Sequence, residues 1–497
     1  MKKKILLLLF CVLIAFSVSV GMASAKTWHV DDDFVEYPAA DFSSIQDAID
    51  AADRGDIVYV YNGTYYEGLV INKQLELIGA GKETIIHGGW YDNCVKITGS
   101  NVLVGGFTIG YSGSDGAGIY VSSNKNTIVN NIITNNSKDV YLEGDLNNII
   151  NNTIGNIDLN YPSKQNNIIN NNINKKIDIK DSDYNKIANN YVIGGIDLES
   201  SDHNNIVNNT IKADINLEMS TYNNIVNNSI KTGITLDARL TKRQKSNHNT
   251  IANNTVKYIS LKGSNHNKII NNIISQSNED GISIKHGNYC RDVRHGLYLN
   301  WECDRVYSEF NEIANNIINL SNGNGVYLGS NSNNTKITNN VITLSGDSGI
   351  VVSGSSGIVI MSNSINSNKG CGIYFYKSTN NSITNNEINS NKDGTYLTDE
   401  SGRNQITNNS IENNEHGIYL SSGSSQNKIY HNNFINNTIQ AEEHKSINRF
   451  DNGPIIGGNY WSGHECGGNP SNGTQAYLIP IQNNHDKYPF EDQDGWL

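Results

Sequence analysis

Proline, methionine and charge are all scarce in this chain of 497 residues, which has six prolines, four methionines and 17% charged residues. The formal net charge is −12, so the chain as a whole lacks the basic excess that a nucleic-acid-binding surface requires. Beyond the first 25 residues no apolar run is long enough to cross a bilayer as a helix, and we expect no stable membrane insertion of the mature chain. Helical periodicity is also missing from the repeats that make up most of the chain, which favours a β fold.

The first 25 residues have the order of a secretory signal peptide. Lysines at positions 2 to 4 precede an apolar stretch that ends near Val20, and small residues at 23–25 follow it. We therefore predict cleavage after Ala25 and a secreted, cell-surface or periplasmic protein. In that setting the sequons at Asn62, Asn135 and Asn472 are candidate glycosylation sites.

Export also makes disulfide bonds possible. Cys290 and Cys303 flank one short segment, so we predict that they form a disulfide. The other three cysteines of the mature chain, Cys94, Cys371 and Cys466, are predicted to be buried thiols.

A phrase of the form N-x-I-x-N-N-x-I recurs through most of the chain. Its anchoring isoleucine returns at spacings of 18 to 26 residues, with one gap of 44. The anchors are Ile128, Ile149, Ile168, Ile187, Ile206, Ile225, Ile251, Ile269, Ile313, Ile337, Ile360, Ile383, Ile406 and Ile429. Each period also contains an apolar-x-apolar triplet such as Ile177-Asp178-Ile179, which is typical of a short strand. Such a period predicts a stacked repeat.

These patterns predict an all-β fold, a right-handed parallel β-helix of about 15 to 17 coils. Inward Ile and Val would form the core, while Asn would occupy left-handed corners and form amide ladders. Ser43-Ser44-Ile45-Gln46 predicts a capping box on a short helix that covers the first coil. The predicted division is a signal peptide at 1–25, an N-terminal cap with the first coils at 26–100, the repeats at 101–447 and an irregular C-terminal cap at 448–497.

The stretch DFSSIQDAIDAADRGDIVYVYNGTYYEGLVINKQLELIGAG (Asp41 to Gly81) resembles the entry to right-handed β-helix proteins, including pectin methylesterases and the NosD-type periplasmic copper-binding family. The Asn-Asn coils, with GGNYWSG (Gly457 to Gly463) and DKYPF (Asp486 to Phe490), are similar to NosD-like surface proteins common in methanogenic archaea. The repeats of that family are called carbohydrate-binding and sugar-hydrolysis (CASH) domains. The resemblance covers nearly the whole mature chain and implies a fold and its caps, whereas a fold alone does not fix a function.

The middle residue of each triplet should point outward and form one column along the rod. The column comprises Tyr120, Tyr141, Asp158, Asp178, Asp197, Asn216, Thr235, Ser260, Ser283, Tyr327, Val351, Tyr374, Tyr396 and Tyr419. Carboxylates on adjacent or alternate coils would lie about 4.8 or 9.6 Å apart, near the separations of retaining and inverting glycosidases. Stacked like charges raise a pKa or recruit a cation, so Asp158, Asp178 and Asp197 are candidate Ca²⁺ ligands. The alternative is an exposed β face whose charges serve solubility alone.

Two insertions leave the repeat at the same corner. The first, of about seven residues, follows Ile234-Thr235-Leu236, and the second, of about 21 to 25, follows Ile282-Ser283-Ile284. We expect them to touch and to wall the strand face beside the acidic column. Arginine forks and flat rings suit acidic sugars, so the candidate ligand contacts are Arg239, Arg243, His286, Arg291, Arg294, His295, Tyr298 and Trp301. A second possibility is that Gly296-Leu297-Tyr298-Leu299 is a strand of an irregular coil.

Histidines form another predicted column. His203, His248 and His266 each stand three residues before an anchor isoleucine, and the last two should stack at adjacent corners. His248 and His266 are therefore a candidate Cu²⁺ or Zn²⁺ pair. Tyr184 and Tyr222 share this column, which favours plain aromatic stacking as the alternative.

The leading hypothesis is an exported β-helix surface protein that binds polysaccharide or a glycoconjugate along one strand face without catalysis. If the chain is an enzyme, we expect a polysaccharide lyase or glycoside hydrolase with the catalytic candidates Asp178, Asp197, Glu199, Glu218, Asp237 and Arg294. Ca²⁺ is the one cofactor that this hypothesis suggests. The remaining alternatives are a structural envelope protein and a NosD-like, copper-associated periplasmic protein.

Overall fold

The computed structural model describes residues 25–89, 92–238, 245–295 and 298–497, with the backbone alone at 288–304. The predicted parallel β-helix is confirmed: the chain winds through about 17 turns, and 2% of it is helical. Within the described residues, no helix has the length and apolar character needed to span a membrane.

Each turn visits three parallel sheets in the same order, and each strand pairs with its counterpart in the next turn. The first sheet contains Thr27–Val30, Ile57–Val60, Glu76–Gly79, Leu103–Gly105, Thr127–Val129, Asn148–Ile150, Asn167–Ile169, Lys186–Ala188, Asn205–Val207, Asn224–Val226, Thr250–Ala252, Lys268–Ile270, Glu312–Ala314, Lys336–Thr338, Val359–Met361, Ser382–Thr384, Gln405–Thr407 and Lys428–Tyr430. The second sheet contains Gly63–Tyr65, Thr84–His87, Thr108–Gly110, Ile132–Ile133, Thr153–Ile154, Asn172–Ile173, Tyr191–Val192, Thr210–Ile211, Ser229–Ile230, Thr255–Val256, Ile273–Ser275, Ile317–Asn319, Val341–Thr343, Ser364–Asn366, Glu387–Asn389, Ser410–Glu412, Asn433–Ile435 and Tyr460–Trp461.

The third sheet carries the outward column of acidic, hydroxyl and aromatic side chains. Its strands are Leu69–Ile71, Val95–Ile97, Ala117–Val121, Lys138–Leu142, Ile157–Leu159, Ile177–Lys180, Ile196–Glu199, Ile215–Glu218, Gly233–Asp237, Tyr258–Lys262, Ile282–Lys285, Val326–Leu328, Ile350–Ser353, Ile373–Tyr376, Asp393–Thr398, His416–Leu420 and Ile439–Glu443.

Apolar residues that alternate along these strands fill the interior. The anchor isoleucines pair with one another from turn to turn along the first sheet, as Ile206 does with Ile225, and all of them are buried. Burial on this scale stabilises a fold by about 25 cal/mol for each Å² of apolar surface removed from water. The predicted periodicity and register are therefore confirmed.

Asparagine side chains form ladders at the corners. In the longest ladder, each backbone N–H donates to Oδ1 of the asparagine one turn further on, as Asn209 does to Asn228 at 2.9 Å. This ladder runs through Asn131, Asn152, Asn171, Asn190, Asn209, Asn228, Asn254, Asn272, Asn316, Asn340, Asn363, Asn386, Asn409, Asn432 and Asn459. The residue before each of these asparagines is in most turns another asparagine with positive φ, for example Asn227 at 56°. The Asn pair thus supplies one left-handed corner and one buried hydrogen-bonding amide.

A helix at Ile45–Ala51 covers the first turn with Ile45, Ala48 and Ile49 buried. The predicted capping box is wrong in detail: the N-cap is Ser44, and the Glu67 carboxylate accepts hydrogen bonds from the N–H groups of Ile45 and Gln46 at 2.9 Å each. The Gln46 side chain accepts instead from the N–H of Val70. The Glu67 carboxylate, which comes from a later turn, satisfies the free N–H groups at the helix N-terminus. The predicted capping box between Ser43 and Gln46 is therefore not needed.

The last turns end on buried aromatic rings. Trp461 stacks between Phe434 and Tyr477 at centroid distances of 4.4 and 4.2 Å. Residues 477–479 and 484–486 form a small hairpin (Tyr477–Ile479 with Asn484–Asp486) over this end. The second sheet extends into this region through Tyr460–Trp461.

The larger insertion forms an antiparallel hairpin of Gly287–His295 with Tyr298–Val306. The possibility that Tyr298 and Leu299 belong to an irregular coil is therefore wrong, because their strand pairs only within this hairpin and not with the parallel stack; Gly296 and Leu297 lie outside the described residues. Gly263 has φ +60°, and a Cβ there would lie 2.9 Å from Val306 Cγ1, so a glycine allows the hairpin base to sit against the solenoid.

Candidate functional site on the third sheet

The outward column of the third sheet has the predicted register. Tyr141 pairs with Asp158, Asp158 with Asp178, and Asp178 with Asp197. The column continues through Asn216, Thr235, Ser260, Ser283 and Tyr327 to Val351, Tyr374, Tyr396 and Tyr419. One face of the rod therefore changes from acids to hydroxyls to aromatic rings.

Lysines neutralise part of the acidic segment. Lys176 Nζ lies 2.8 Å from Asp178 Oδ1 and 3.4 Å from Asp197 Oδ2. Asp158 accepts a hydrogen bond from the Asn156 amide at 2.9 Å, and burial, followed by the negative charge of Asp178, raises the pKa of Asp158 to about 6. An ammonium group thus contacts two of the three candidate Ca²⁺ ligands, and the third is partly protonated near neutral pH.

A second outward row runs beside this column. Lys180, Glu199, Glu218 and Asp237 are successive register partners, and Lys262 follows them. Lys180 Nζ lies 3.6 Å from Glu199 Oε2, and Lys262 Nζ lies 3.9 Å from Asp237 Oδ2. The structure thus brings together the acidic catalytic candidates on one face, and a lysine stands at each end of this second row.

A cleft of about 470 Å³ opens where the column changes from acids to hydroxyls. It is lined by Thr232, Thr235, Lys257, Tyr258, Ile259, Ser260, Lys262, Ser277, Asn278, Glu279, Asp280, Ser283 and Lys285. Thr232 Oγ1 and Ser283 Oγ are buried and have no hydrogen-bond partner among the side chains that the structure describes. Buried hydroxyls are normally paired, so these two oxygens have unused hydrogen-bonding capacity at the wall of the cleft. A further cavity of about 640 Å³ at the corner towards the second sheet shares Lys257, Ser277 and Asn278 with the cleft.

The end of the first insertion contacts the chain just beyond the second, and a wall formed by both insertions over the strand face remains a prediction. Lys245, at the end of the first insertion, donates from Nζ to the carbonyl oxygen of Tyr307 at 3.4 Å, just beyond the hairpin. His286 lies at the hairpin base, and its Nδ1 is buried with no hydrogen-bond partner among the residues whose side chains are described. Arg239 and Arg243 lie outside the described residues, as do the side chains of Arg291, Arg294, His295, Tyr298 and Trp301.

Tyrosines dominate the column beyond the cleft. The Tyr374 and Tyr396 rings are 5.3 Å apart and those of Tyr396 and Tyr419 are 4.8 Å apart, both tilted. At the other end, Tyr120 and Tyr141 stack at 5.7 Å. Tilted, half-buried rings on a flat strand face offer the kind of surface on which pyranose rings pack.

The predicted histidine column is a continuous stack of six rings: Tyr184, His203, Tyr222, His248, His266 and Phe310, with centroids 4.7 to 5.1 Å apart. The planes of His248 and His266 differ by 4°. Imidazole lone pairs lie in the ring plane, so two parallel rings do not converge on one ion. In this arrangement stacking accounts for the pair better than shared metal coordination does.

A cluster that the sequence reasoning missed lies at the end of the tyrosine column. His416 Nδ1 is 2.7 Å from Asp393 Oδ1, and His416 Nε2 is 3.5 Å from Glu442 Oε2. The other oxygen of Glu442 contacts His444 Nε2. The Asp393 carboxyl also lies 3.7 Å from the Cys371 thiol. Asp393 and His416 are one 23-residue period apart, so the spacing of the repeat could have predicted that they meet on adjacent turns.

Acidic residues also gather near the N-terminus. Oxygen atoms of Asp31, Asp32, Asp33 and Glu36 lie within 4.8 Å of one another. Backbone N–H groups of Asp33 and Tyr37 satisfy the buried Asp31 carboxylate, so this loop has a structural explanation.

Residues 307–466 match the family described as periplasmic copper-binding protein (NosD). The chain is a NosD-like parallel β-helix. The NosD-like helix is also similar to three solved structures. Carrot pectin methylesterase is 12% identical, with 44% of this chain and 76% of that chain covered and a TM-score of 0.24. The periplasmic alginate epimerase AlgG is 13% identical (60% and 78% covered, TM-score 0.34). A mannuronic acid-specific family 6 polysaccharide lyase from human gut microbiota is 13% identical (68% and 86% covered, TM-score 0.37). No curated protein is similar enough to count as a relative.

The family description raises the question of which residues could hold copper. Thioether ligation is poorly supplied, because Met219 is buried and Met361 is the one other methionine of residues 26–497. Burial, and then the charge of Asp393, raises the pKa of Cys371 to about 12, so its thiol is not a ready thiolate donor. Among the described residues, His416 and His444 contact opposite oxygens of Glu442, but the donor atoms of these three side chains do not all lie within 4.8 Å of one another and so do not form a ready copper site.

Proposed function

We propose that this NosD-like protein is exported and binds an acidic polysaccharide along the third sheet, with the central cleft as its specific contact. The observation that carries the proposal is the pair of buried hydroxyls, Thr232 Oγ1 and Ser283 Oγ, which lack partners within the described part of the chain and lie in a cleft that three lysines also line. Hydroxyl and ammonium groups together suit a sugar that carries carboxylate or sulfate.

The charge balance of the cleft supports an anionic ligand. Lys257, Lys262 and Lys285 face Glu279 and Asp280. Lys285 Nζ is 3.9 Å from Asp280 Oδ2 and stands 5.0 Å from the centre of the Tyr327 ring. Such loose contacts can be exchanged for a ligand carboxylate at little cost. The hairpin beside the cleft adds Arg291 and Arg294 in the sequence, and these remain predicted contacts.

The aromatic segments support an extended ligand. The face holds tyrosines on both sides of the cleft, and turns in a parallel stack are about 4.8 Å apart. A chain molecule that lies along the rod would therefore cross several rings. We propose that the tyrosines pack against the faces of sugar rings and that the cleft selects sugars that carry a negative charge.

A glycan array probed with the mature protein tests this proposal, once with Ca²⁺ and once with chelator. We expect binding to uronate-containing or sulfated glycans and none to neutral ones. Lys257→Ala and Lys285→Ala should each weaken binding about tenfold, because each removes one charge-assisted contact. Lys336→Ala, on the first sheet, is the matched control and should bind normally. An empty array, or equal affinity in the cleft variants and the control, contradicts the proposal.

A lyase or hydrolase is the second candidate, and the raised pKa of Asp158, about 6, favours it. A carboxylic acid next to an ionised carboxylate is the arrangement with which glycosidases divide acid and base roles. Incubation of each bound glycan with the protein, followed by unsaturated-product absorbance and reducing ends, tests this function. Product formation that Asp158→Asn abolishes would identify an enzyme. Binding without product supports a recognition role.

A further inference from the structure

The corner cavity beside the cleft takes its lining from five successive turns, with Lys257 on the first and Lys369 on the last. Its volume is about 640 Å³. We propose that this cavity is a second sugar subsite, which takes a methyl-bearing sugar, either 6-deoxy or acetylated, next to the anionic sugar in the cleft. The inference rests on the proposed function, because it names the neighbour of the sugar that the cleft binds.

Two leucines of this cavity occupy positions that suit leucine poorly. Leu320 and Leu344 have φ of 54° and 57°, and they are 46% and 53% exposed. On neighbouring turns the same corner position is held by polar residues with positive φ, namely Gln276, Ser367 and Ser390. A bulky side chain with positive φ is unusual, and an exposed one buries little apolar surface. Folding thus gains little from leucine at either position, and contact with a ligand accounts for the pair.

The cavity lies where an asparagine ladder at this corner is interrupted. The ladder consists of Asn368, Asn391, Asn414 and Asn437, and its backbone N–H groups donate to Oδ1 of the next turn at 2.9 to 3.1 Å. On the three preceding turns the same position is held by Ser277, Ser321 and Ser345, which all line the cavity. The Oγ atoms of Ser321 and Ser345 are buried, and the described part of the chain gives them no hydrogen-bond partner. The wall of the cavity therefore has unused hydrogen-bonding capacity.

The lining suits a sugar that combines hydroxyl groups with one apolar edge. Asn278, Asn322 and Ser367 offer polar contacts, and the two leucines offer apolar ones. Among the described residues, no aromatic side chain lines the cavity, so it lacks the flat surface against which a whole sugar face packs. Leucine methyl groups instead fit a small apolar substituent, such as the methyl group of a 6-deoxy or acetylated sugar. The volume is also within the usual range for ligand sites, about 300–1,000 Å³.

The cavity and the cleft share part of their lining. Lys257, Ser277 and Asn278 belong to both, so a ligand can cross from one to the other without leaving the protein surface. The sugar in the cavity is therefore the neighbour of the anionic sugar in the cleft. At the far end of the cavity, Lys369 offers a contact to a further carboxylate or sulfate. This arrangement favours a repeating acidic polymer over an isolated sugar acid.

Calorimetric titration of the mature protein with three matched tetrasaccharides tests the inference. Each alternates glucuronate with a second sugar, which is glucose, 6-deoxyglucose or N-acetylglucosamine. We expect at least one methyl-bearing tetrasaccharide to bind about fourfold more tightly than the glucose one, which is the effect of burying one methyl-sized group. The tetrasaccharide that shows the gain identifies the source of the methyl group.

Substitution of the leucines locates the effect. Leu320→Asn and Leu344→Asn should each remove most of the preference and leave the affinity for the glucose tetrasaccharide unchanged. Asn413 and Asn436 hold the same corner position on later turns with φ of 57° and 52°, so both variants should fold. Their melting temperatures should not fall, because asparagine tolerates this conformation better than leucine does. Leu146→Asn is the matched control, since Leu146 is 41% exposed and has φ of 60° but lies at a different corner.

The outcomes separate this subsite from the cleft. Equal affinity for the three tetrasaccharides, a preference that survives both leucine variants, or a loss shared by Leu146→Asn overturns the inference. Lys285→Ala should weaken binding of all three tetrasaccharides alike and leave the methyl preference intact. If none of the three binds, this inference fails, and the glycan array decides separately whether the cleft binds another anionic sugar.

Discussion

The indole nitrogen of Trp461 donates a 2.8 Å hydrogen bond to Oδ2 of Asp486, a carboxyl group that is fully buried. The same oxygen accepts from the backbone N–H of Asn459 at 2.6 Å. Burial outweighs these donors and raises the pKa of Asp486 to about 7.

The first prediction concerns the pH dependence that follows. The pKa of Asp486 is higher in the folded protein than the value of about 4 in an unfolded chain, so the folded state prefers the neutral acid. Its contribution is fully present below about pH 4 and is lost as pH rises through 7. Asp486→Asn should remove this part of the pH dependence, on the order of a few kcal/mol. Urea unfolding followed by tryptophan fluorescence at pH 5 to 8 measures it, with exposed Asp115→Asn as the control.

The second prediction concerns the asparagine ladder. Asn228 Oδ1 accepts from the N–H and the amide of Asn209, and its own amide donates to Asn254. Asn228→Ala leaves buried donors unpaired and should cost about 1–3 kcal/mol in the free energy of unfolding. Exposed Asn174→Ala should cost almost nothing. Equal urea midpoints for the two variants would show that the ladder contributes no stability.

The third prediction concerns the six-ring stack. Burial, and then the nearby His266, lowers the pKa of His248. The folded state therefore prefers the neutral imidazole, and this contribution is present above about pH 6.5 and is lost as pH falls through the lowered pKa. His248→Phe keeps a ring between Tyr222 and His266 and should flatten the fall in melting temperature between pH 7.5 and 5.5. His485→Phe, an exposed imidazole elsewhere, should leave that fall unchanged.

The fourth prediction concerns thiols. The hairpin places Cys290 directly opposite Cys303, whereas Cys94, Cys371 and Cys466 are free and buried. A denatured, unreduced sample of the exported protein should therefore react with three equivalents of a thiol reagent, and a reduced one with five. Five equivalents before reduction would exclude the predicted disulfide.

The repeating part of this fold was predictable because each turn repeats the same local sequence pattern of an Asn pair and alternating apolar residues. The anchor isoleucines, the outward column and the corner stack of His248 and His266 all follow from spacing alone. The N-cap was not predictable, because Glu67 reaches the helix from a later turn. The His416 cluster was missed for a similar reason, since it spans three turns and Glu442 lies further along its strand than the register partners Asp393 and His416. No single period contains their pattern.

The longest asparagine ladder has a direction. Each rung gives its N–H to the next turn, and the last one, Asn459, gives it to the buried Asp486 carboxyl group. The ladder thus repeats the same hydrogen bond at every turn and ends on one residue, Asp486. Because each rung meets only its neighbours, a turn can be inserted or removed in the middle without rebuilding either end. Evolution can therefore lengthen or shorten this protein by whole turns and so match its length to the distance that it must span.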